Sequence, residues 1–177
     1  LVTIPCGALT DTLLTTELFG HTKGAFTGAI KETVGRFQAA EGGSVVLDEI
    51  GEVPLNLQKT LLRVIEEKEF ERVGDSRSIR VDIRILATTN RNLDEEIKKG
   101  NFRKDLYYRL SIVSLTIPPL RERVSDIPLL VNHFLKKFKE GGHSSRIEPA
   151  VLEYLKKYPW HGNVRELSSM VQQMLLF

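Results

Sequence analysis

The sequence predicts an α/β protein with a three-layer core built around a parallel sheet, followed by a small all-helical region. Short apolar runs, typical of strands buried in parallel sheets, recur at 1–4, 44–48, 83–88 and 111–116. Helical patterns separate most of these runs. From Asp126 onward only helical patterns occur. We therefore expect a core over 1–120 and a helical domain over 121–177.

The composition is that of a globular protein without a nucleic-acid or membrane signature. The 177 residues carry a net charge of +2, which is too small to indicate nucleic-acid binding by bulk electrostatics. No apolar run approaches the roughly 20 residues of a membrane span, so we expect no membrane role. Cys6 is the single cysteine, which excludes a disulfide within the chain and favours a cytoplasmic location.

A short helix leads into a glycine-rich loop in the first quarter of the chain. Thr10 is the predicted N-cap of this helix, and Gly20 marks its end. The loop, Gly24-Ala25-Phe26-Thr27-Gly28-Ala29, surrounds one aromatic ring with small residues. Its backbone can leave helix and strand geometry, so we expect Phe26 to be carried outward at the loop tip. From composition alone, a flexible surface loop with an incidental Phe is equally acceptable.

The apolar run over 44–48 ends in two carboxylates, Asp48 and Glu49. Because α/β proteins bind ligands at the carboxyl ends of parallel strands, the pair can divide the work of holding a metal-bound water and activating an attacking water. The alternative is a solvated strand end that caps the next helix. Beyond Pro54, an amphipathic helix is predicted by apolar residues at helical spacing, at positions 57, 61, 62, 64 and 65.

Apolar and polar residues alternate over 79–85, and this alternation ends over 85–88, where charged residues no longer occur. The pattern predicts one strand that is half exposed at its start and buried at its end. Gly74-Asp75-Ser76 predicts a hairpin turn before it. Thr89 and Asn90 follow the strand directly, so we expect both at the same sheet edge as the carboxylates. A polar side chain there can orient a water or sense a phosphate, although an Asn at a strand end is often a turn former.

Two arginines, Arg103 and Arg109, lie six residues apart before the last predicted strand. On a regular helix this spacing rotates them by about 240°, so they cannot share one face. The planar, permanently charged guanidinium suits the stabilisation of a phosphoryl group from a neighbouring subunit. The alternative is a surface charge or an ion pair with Asp105.

Three helices are predicted in the final third of the chain, over 127–138, over 149–157 and from residue 163 onward. Gly141-Gly142 breaks the first from the second. Asn163 and Glu166 fit a capping box at the start of the last helix. Arg165 lies in the first turn of that helix, where a cation opposes the helix dipole. A functional role or a salt bridge would explain its position.

These segments resemble, in their order along the chain, the sequence boxes of the AAA+ domain of bacterial enhancer-binding proteins, the nitrogen regulatory protein C family. These proteins are activators that remodel RNA polymerase carrying sigma-54. The resemblance implies a P-loop NTPase core with a helical lid, a requirement for ATP and Mg²⁺, and a ring of identical subunits that we expect to be a hexamer. It also implies a promoter-DNA-binding domain and a regulatory domain, as in two-component systems, neither of which is visible in this sequence.

The resemblance assigns roles to the acidic pair and to the loop. Asp48 and Glu49 match the Walker B box, in which Asp48 helps to hold Mg²⁺ and Glu49 polarises the water that attacks the γ-phosphate. The segment from Gly24 to Ala29 matches the loop that engages sigma-54, with Phe26 and Thr27 as the contacting residues.

The resemblance also assigns roles to four other candidates. Thr89 and Asn90 match sensor I. Arg103 and Arg109 match the arginine-finger region, and Arg165 matches the sensor II arginine that reaches the nucleotide phosphate.

Two features depart from the family pattern. No Gly is followed by Lys, so the phosphate-binding Walker A loop, G-x-x-x-x-G-K-[ST], is absent. We expect it upstream of Leu1 in a longer protein, and we expect the chain by itself to bind ATP poorly. Pro5 stands where the family usually has an Asn that contacts the Walker B glutamate, and proline offers no side-chain hydrogen bond.

Two other functions stay open at this point. Another AAA+ machine, such as a chelatase or a helicase loader, would share the carboxylates and arginines but would have no use for the Gly24–Ala29 loop. A non-catalytic module that binds sigma factor without ATP turnover is favoured by the missing Walker A loop and by Pro5.

Overall fold

The computed structural model describes residues 1–138 and 147–175, and the predicted break at Gly141-Gly142 lies outside these residues. The chain forms two compact units, Leu1–Ser114 and Leu115–Phe177. Each unit has an apolar core of its own. No helix in the described part of the chain is both long and apolar enough to cross a membrane.

The first unit contains seven strands and five helices among its described residues. The strands are β1 (Val2–Pro5), β2 (Gly20–His21), β3 (Thr33–Val34), β4 (Ser44–Asp48), β5 (Glu69–Glu71), β6 (Ser78–Arg80) and β7 (Arg84–Ala87). The helices are α1 (Asp11–Phe19), α2 (Arg36–Ala39), α3 (Leu55–Glu67), α4 (Leu93–Lys98) and α5 (Lys104–Leu110). Short 3₁₀ turns follow β1 and β4, over Cys6–Ala8 and Ile50–Glu52.

The main sheet is parallel, with β4 between β1 and β7. Its register aligns Pro5 with Asp48 and Leu47 with Ala87, so the three strands end at one edge. Val45 and Leu47 are fully buried, because β4 has a neighbouring strand on each side and the core packs against it. The α/β prediction is confirmed, as are the predicted strand over 44–48 and the predicted helices after Thr10 and Pro54.

The predicted continuous strand over 79–88 is wrong. β6 pairs with β5 in an antiparallel hairpin, whereas β7 pairs with β4 in the main sheet. Val81 and Ile83, between the two strands, are buried in the core. The predicted hairpin turn is confirmed: Gly74 has a φ of +83°, and Asp75 Oδ1 accepts a hydrogen bond from the Arg77 amide at 3.1 Å.

The expected burial of the end of this segment is also wrong. Leu86 is 41% exposed, because β7 has a paired strand on one side only in the described structure. The strand predicted over 111–116 does not form either, and Ile112, Val113 and Leu115 are largely exposed. An apolar run becomes a stable strand only where a neighbouring strand pairs with its backbone, and here no described strand does so.

An aromatic cluster forms the centre of the first unit. Phe37 lies 5.6 Å from Phe19 and 6.1 Å from Phe70, measured between ring centroids. Leu61 of α3 and Leu14 and Leu18 of α1 belong to the same core and are completely buried. The predicted apolar face of α3 is confirmed at positions 57, 61 and 64, while Leu62 and Ile65 are partly buried.

The second unit contains α6 (Ile127–Phe138), α7 (Pro149–Lys157) and α8 (Asn163–Met174), which confirms the three predicted helices. Trp160 is completely buried, and its indole N–H donates to the Leu155 carbonyl oxygen at 2.7 Å. The predicted capping box is shifted by one residue. The Glu166 carboxylate accepts from the Gly162 amide at 2.8 Å, while Asn163 Oδ1 accepts from the Leu120 amide at 2.8 Å.

We predict that Phe37→Ala destabilises the first unit by about 3–5 kcal/mol, because it removes a completely buried ring from a close-packed cluster. Urea unfolding followed by circular dichroism measures the loss. Phe26→Ala is the matched control, since it removes the same ring from an exposed position, and we expect it to cost less than about 1 kcal/mol. Equal losses for the two variants would contradict the assigned core.

Candidate functional site

The carboxylates stand at the edge where the parallel strands end. Asp48 is the last residue of β4, and Thr88 follows β7 directly. The Thr88 amide donates to the Leu47 carbonyl oxygen at 2.9 Å, which continues the strand pairing by one residue. The Thr88 hydroxyl donates to Asp48 Oδ1 and accepts from the Glu49 amide at 3.3 Å. This single hydroxyl therefore contacts both the Asp48 carboxylate and the backbone of Glu49.

Glu49 has an uncommon backbone conformation. Its φ of +59° lies in the left-handed region, which few residues other than glycine adopt. The Ile50 amide, immediately after it, donates to the Thr88 carbonyl oxygen at 2.9 Å and holds the turn. The Glu49 side chain is exposed, and its carboxylate has no hydrogen-bond or ion-pair partner within residues 1–138 and 147–175. It is therefore free to accept a proton from a water molecule.

Gly7 makes room for the Glu49 carboxylate. A Cβ atom built at Gly7 would overlap Glu49 Oε2, so only glycine leaves the side chain its present position. Cys6, beside it, is buried, and burial together with the negative charges of Asp48 and Glu49 raises the pKa of its thiol to about 12. Cys6 is thus a small buried residue that stays protonated at neutral pH. Pro5 ends β1 opposite Asp48 and offers no polar side chain to the edge.

The predicted polar residues after β7 lie at the same edge of the sheet. Thr89 and Asn90 are exposed, and Thr89 Oγ1 accepts from the Arg91 amide at 3.1 Å. Arg91 connects this segment to the turn that follows Glu49: its Nη1 donates to the Gly51 carbonyl oxygen at 3.2 Å, and its Nη2 pairs with Glu52. Sequence analysis missed Arg91 and Thr88. The only available signal was a polar residue directly after a strand.

The two candidate arginines contact neither Asp48 nor Glu49. Arg103 precedes α5, and its guanidinium pairs with the Asp105 carboxylate at 2.6 and 3.0 Å. Its amide donates to Oε1 of the completely buried Gln58 at 2.7 Å. Arg109 lies in the last turn of α5, and its Nε is 3.9 Å from Glu66. Both side chains remain close to half exposed, at 40% for Arg103 and 47% for Arg109.

Gln58 is a completely buried positioning residue, which the sequence did not predict. Its Nε2 donates to the carbonyl oxygens of Val53 and Asn101, at 2.8 and 3.0 Å. With the Arg103 amide as donor to its Oε1, Gln58 satisfies both ends of its amide group inside the protein. The start of α5 is therefore attached to α3 through one buried side chain.

Arg165 lies in the first turn of α8, as predicted. Its side chain is exposed and forms no ion pair with any residue that the structure describes. The salt bridge that could have explained a cation at this position is thus not formed within the described residues.

The glycine-rich loop rises from a short antiparallel stem in which β2 pairs with β3. Internal hydrogen bonds fold it. The Gly24 amide donates to the Ala29 carbonyl oxygen at 2.8 Å, and the Ala29 amide donates to the Phe26 carbonyl oxygen at 3.0 Å. Gly24 and Gly28 have positive φ values of +82° and +99°. In this conformation the loop is thus folded on itself by its own hydrogen bonds.

The β5–β6 turn supports one side of this loop. The Thr22 amide donates to the Val73 carbonyl oxygen at 3.0 Å, and the Val73 amide donates to the Gly20 carbonyl oxygen at 3.0 Å. A Cβ atom at Gly74 would lie 2.6 Å from the Cβ of Ala25, so glycine is required where the two segments meet. Sequence analysis predicted the hairpin but not its contact with the loop.

Phe26 is exposed, as the sequence predicts, but part of its ring packs against the stem of the loop. Its ring is 39% exposed and packs against the imidazole of His21, with the ring centroids 5.0 Å apart and the planes tilted by 60°. The aromatic residue at the centre of the loop therefore lies partly against its own stem.

Known protein families match both parts of the chain. Residues 1–116 match the family described as the Sigma-54 interaction domain, and residues 121–177 match the AAA+ ATPase lid domain. The chain is 52% identical over 174 residues to the Nif-specific regulatory protein of Herbaspirillum seropedicae, covering 97% of this chain and 32% of that protein. It is 49% identical over 177 residues to regulatory protein AtoC of Escherichia coli strain K12, covering 99% and 38%. The chain thus spans about a third of the length of these relatives.

Solved structures agree on the fold. The crystal structure of NtrX from Brucella abortus in complex with ATP superimposes with a TM-score of 0.90 at 35% identity, over 99% of this chain and 38% of that one. A complex of Hsp104 from S. cerevisiae with casein superimposes with a TM-score of 0.67 at 14% identity, over 98% and 34%, and bears on the fold alone. The predicted P-loop NTPase fold with its helical lid is confirmed. The chain belongs to the sigma-54 interaction domain family of AAA+ transcriptional regulators.

Proposed function

We propose that the protein containing this chain is a transcription activator that uses ATP hydrolysis to remodel sigma-54 RNA polymerase at a promoter. This proposal depends on one observation: the compact unit Leu1–Ser114 holds both an exposed carboxylate edge and the folded Gly24–Ala29 loop. The match to the Sigma-54 interaction domain supports sigma-54 as the partner of the loop.

A short structured path connects the edge to the loop. The Cys6–Ala8 turn packs against the turn after Glu49, α1 follows it, and β2 begins immediately after α1. Leu14, Leu18 and Phe19 are buried on the inner face of α1, so the helix is fixed to the core. A change in the position of Glu49 can therefore reach the loop stem without crossing a flexible segment.

Four residues of the edge suit ATP hydrolysis. Glu49 would polarise the attacking water, since its exposed carboxylate has no partner in the described structure. Thr89 and Asn90, at the same edge, would orient that water and sense the γ-phosphate. Asp48 uses one oxygen for Thr88 and keeps the other unpaired in the described structure, which fits the single protein carboxylate that Mg²⁺ commonly takes beside substrate phosphates. When bound, the metal ion neutralises charge on those phosphates.

Arg103 and Arg109 would serve a nucleotide on an adjacent subunit of a homo-oligomeric ring, which we propose to be a hexamer. Their contacts within the chain, at Asp105, Gln58 and Glu66, leave both guanidinium groups partly exposed. Arg165 of the lid would contact nucleotide phosphate within its own subunit, which accounts for a cation without an ion-pair partner among the described residues. NtrX of Brucella abortus has been crystallised with ADP and with ATP, which supports nucleotide binding in this fold.

Promoter DNA would be bound through a domain outside this sequence. The curated relatives are regulatory proteins about three times the length of this chain, which leaves room for DNA-binding and regulatory domains. A non-catalytic sigma-factor-binding module is the second candidate, and Pro5, which offers no side-chain hydrogen bond at the end of β1, favours it.

Phe26→Ala in the complete protein is expected to weaken sigma-54 binding by roughly 10-fold or more and to abolish open-complex formation, because a contacting aromatic ring is lost. A binding assay with purified sigma-54 and a transcription assay measure the two effects. Tyr154→Ala removes another exposed ring, from the second unit, and should leave binding near the wild-type level. Full binding by Phe26→Ala would refute the role of the loop.

Glu49→Gln is expected to reduce ATP turnover by about 10²–10⁴-fold while nucleotide affinity stays near the wild-type value, because the amide cannot accept the proton of the attacking water. Turnover and nucleotide binding are measured on the complete protein. Glu153→Gln is the control, since this exposed carboxylate belongs to the second unit and pairs with Lys156 of its own helix. If the wild-type complete protein binds sigma-54 without hydrolysing ATP, the non-catalytic candidate holds instead.

By itself, the Arg103→Ala variant should have no ATP turnover. Mixing it with Glu49→Gln subunits should restore part of the turnover. At equal amounts, about a quarter of the interfaces then combine an intact Glu49 with an intact Arg103 from the neighbour. The same mixing applies to Arg109→Ala. Inactive mixtures of subunits that do assemble would show that the arginine does not act across the interface.

A further inference from the structure

We propose that His21 is a positioning residue for Phe26. Its imidazole, which we call the seat, packs against the Phe26 ring and keeps this ring close to the stem of the loop. When the ring leaves the seat, it becomes available to contact sigma-54. This inference rests on the proposed function of the loop. It starts from the tilted packing of the two rings, whose centroids are 5.0 Å apart, and from the partial burial of a residue expected to contact a partner.

The His21 side of this contact is fixed. His21 lies in β2, where it pairs with Thr33 across the antiparallel stem, and it also bridges to Val73 of the β5–β6 turn. Two neighbouring segments therefore hold its backbone. The imidazole stays with the stem when the tip of the loop changes conformation.

The Phe26 side can move. Gly24 and Gly28 flank it, both with positive φ, and a Cβ atom built at either glycine would meet no heavy atom within 4 Å. Glycine is thus used at these positions for its backbone freedom and not because space is short. Rotation at the two glycines can lift the ring while the stem remains paired.

The conformation in which the two rings pack together also carries an energetic cost. Nδ1 of His21 is buried and has no hydrogen-bond partner in the part of the chain that the structure describes. A buried nitrogen without a partner is unfavourable, which offsets part of the stabilisation from the contact between the two rings. The contact orders Phe26 but does not hold it irreversibly.

His21→Ala in the complete, nucleotide-free protein tests the seat. Losing the ring-on-ring contact should raise sigma-54 affinity by roughly two- to tenfold, because Phe26 is no longer held back. His21→Phe keeps an aromatic face and removes the unpaired nitrogen, so its affinity should stay at or below the wild-type value. Lys31→Ala, an exposed residue just outside the loop, is the control. Unchanged or weaker binding by His21→Ala would overturn the inference.

Two further measurements test the role of His21 separately from the proposed function of the loop. Without sigma-54, hydrogen exchange at the Ala29 amide, which bonds to the Phe26 carbonyl, should be faster in His21→Ala than in the wild type, and equal rates would contradict the seat. His21→Ala combined with Phe26→Ala should bind sigma-54 no better than Phe26→Ala alone, and a gain in the double variant would also contradict it. Failure of Phe26→Ala to weaken binding would instead refute the proposed function of the loop.

Discussion

The central position of β4 in the parallel sheet is the constraint on which the rest of the structure depends. Because β1 and β7 pair with it in parallel, everything that follows the three strands is delivered to one edge. Asp48 is placed there by the buried residues of its own strand, and Thr88 by its backbone bond to Leu47. The Thr88 hydroxyl then joins the two strand ends through Asp48 and the Glu49 amide. The positions of Asp48 and Glu49 at this edge therefore follow from the pairing of the strands.

The same constraint links the edge to the loop. The turn after β1 lies against Glu49 through Gly7, and the chain then runs through α1 directly into the stem of the loop. The loop is in turn braced by the β5–β6 turn and by His21. The carboxylate edge and the glycine-rich loop therefore belong to one unit, and buried side chains of α1 lie along the chain between the Cys6–Ala8 turn and the loop stem.

Polar side chains without a chemical role of their own set much of this geometry. Gln58 attaches the start of α5 to α3, and Arg91 attaches the segment after β7 to the turn after Glu49. Their partners are mostly backbone groups distant in the sequence. Such residues have no recognisable spacing, because the group that each must satisfy is decided only when the chain has folded.

By itself, the sequence determined five of the described helices (α1, α3, α6, α7 and α8), the strand over 44–48, the acidic pair that follows it and the loop composition. Apolar periodicity and turn residues act over a few neighbouring positions, which is why these features could be predicted. Tertiary structure alone decided features that depend on distant partners. The segment over 79–88 divides at Val81 and Ile83 because β6 and β7 join different sheets, and 111–116 lacks a described strand partner. Likewise, Phe26 rests on His21 because pairing in the stem fixes that imidazole beneath the loop.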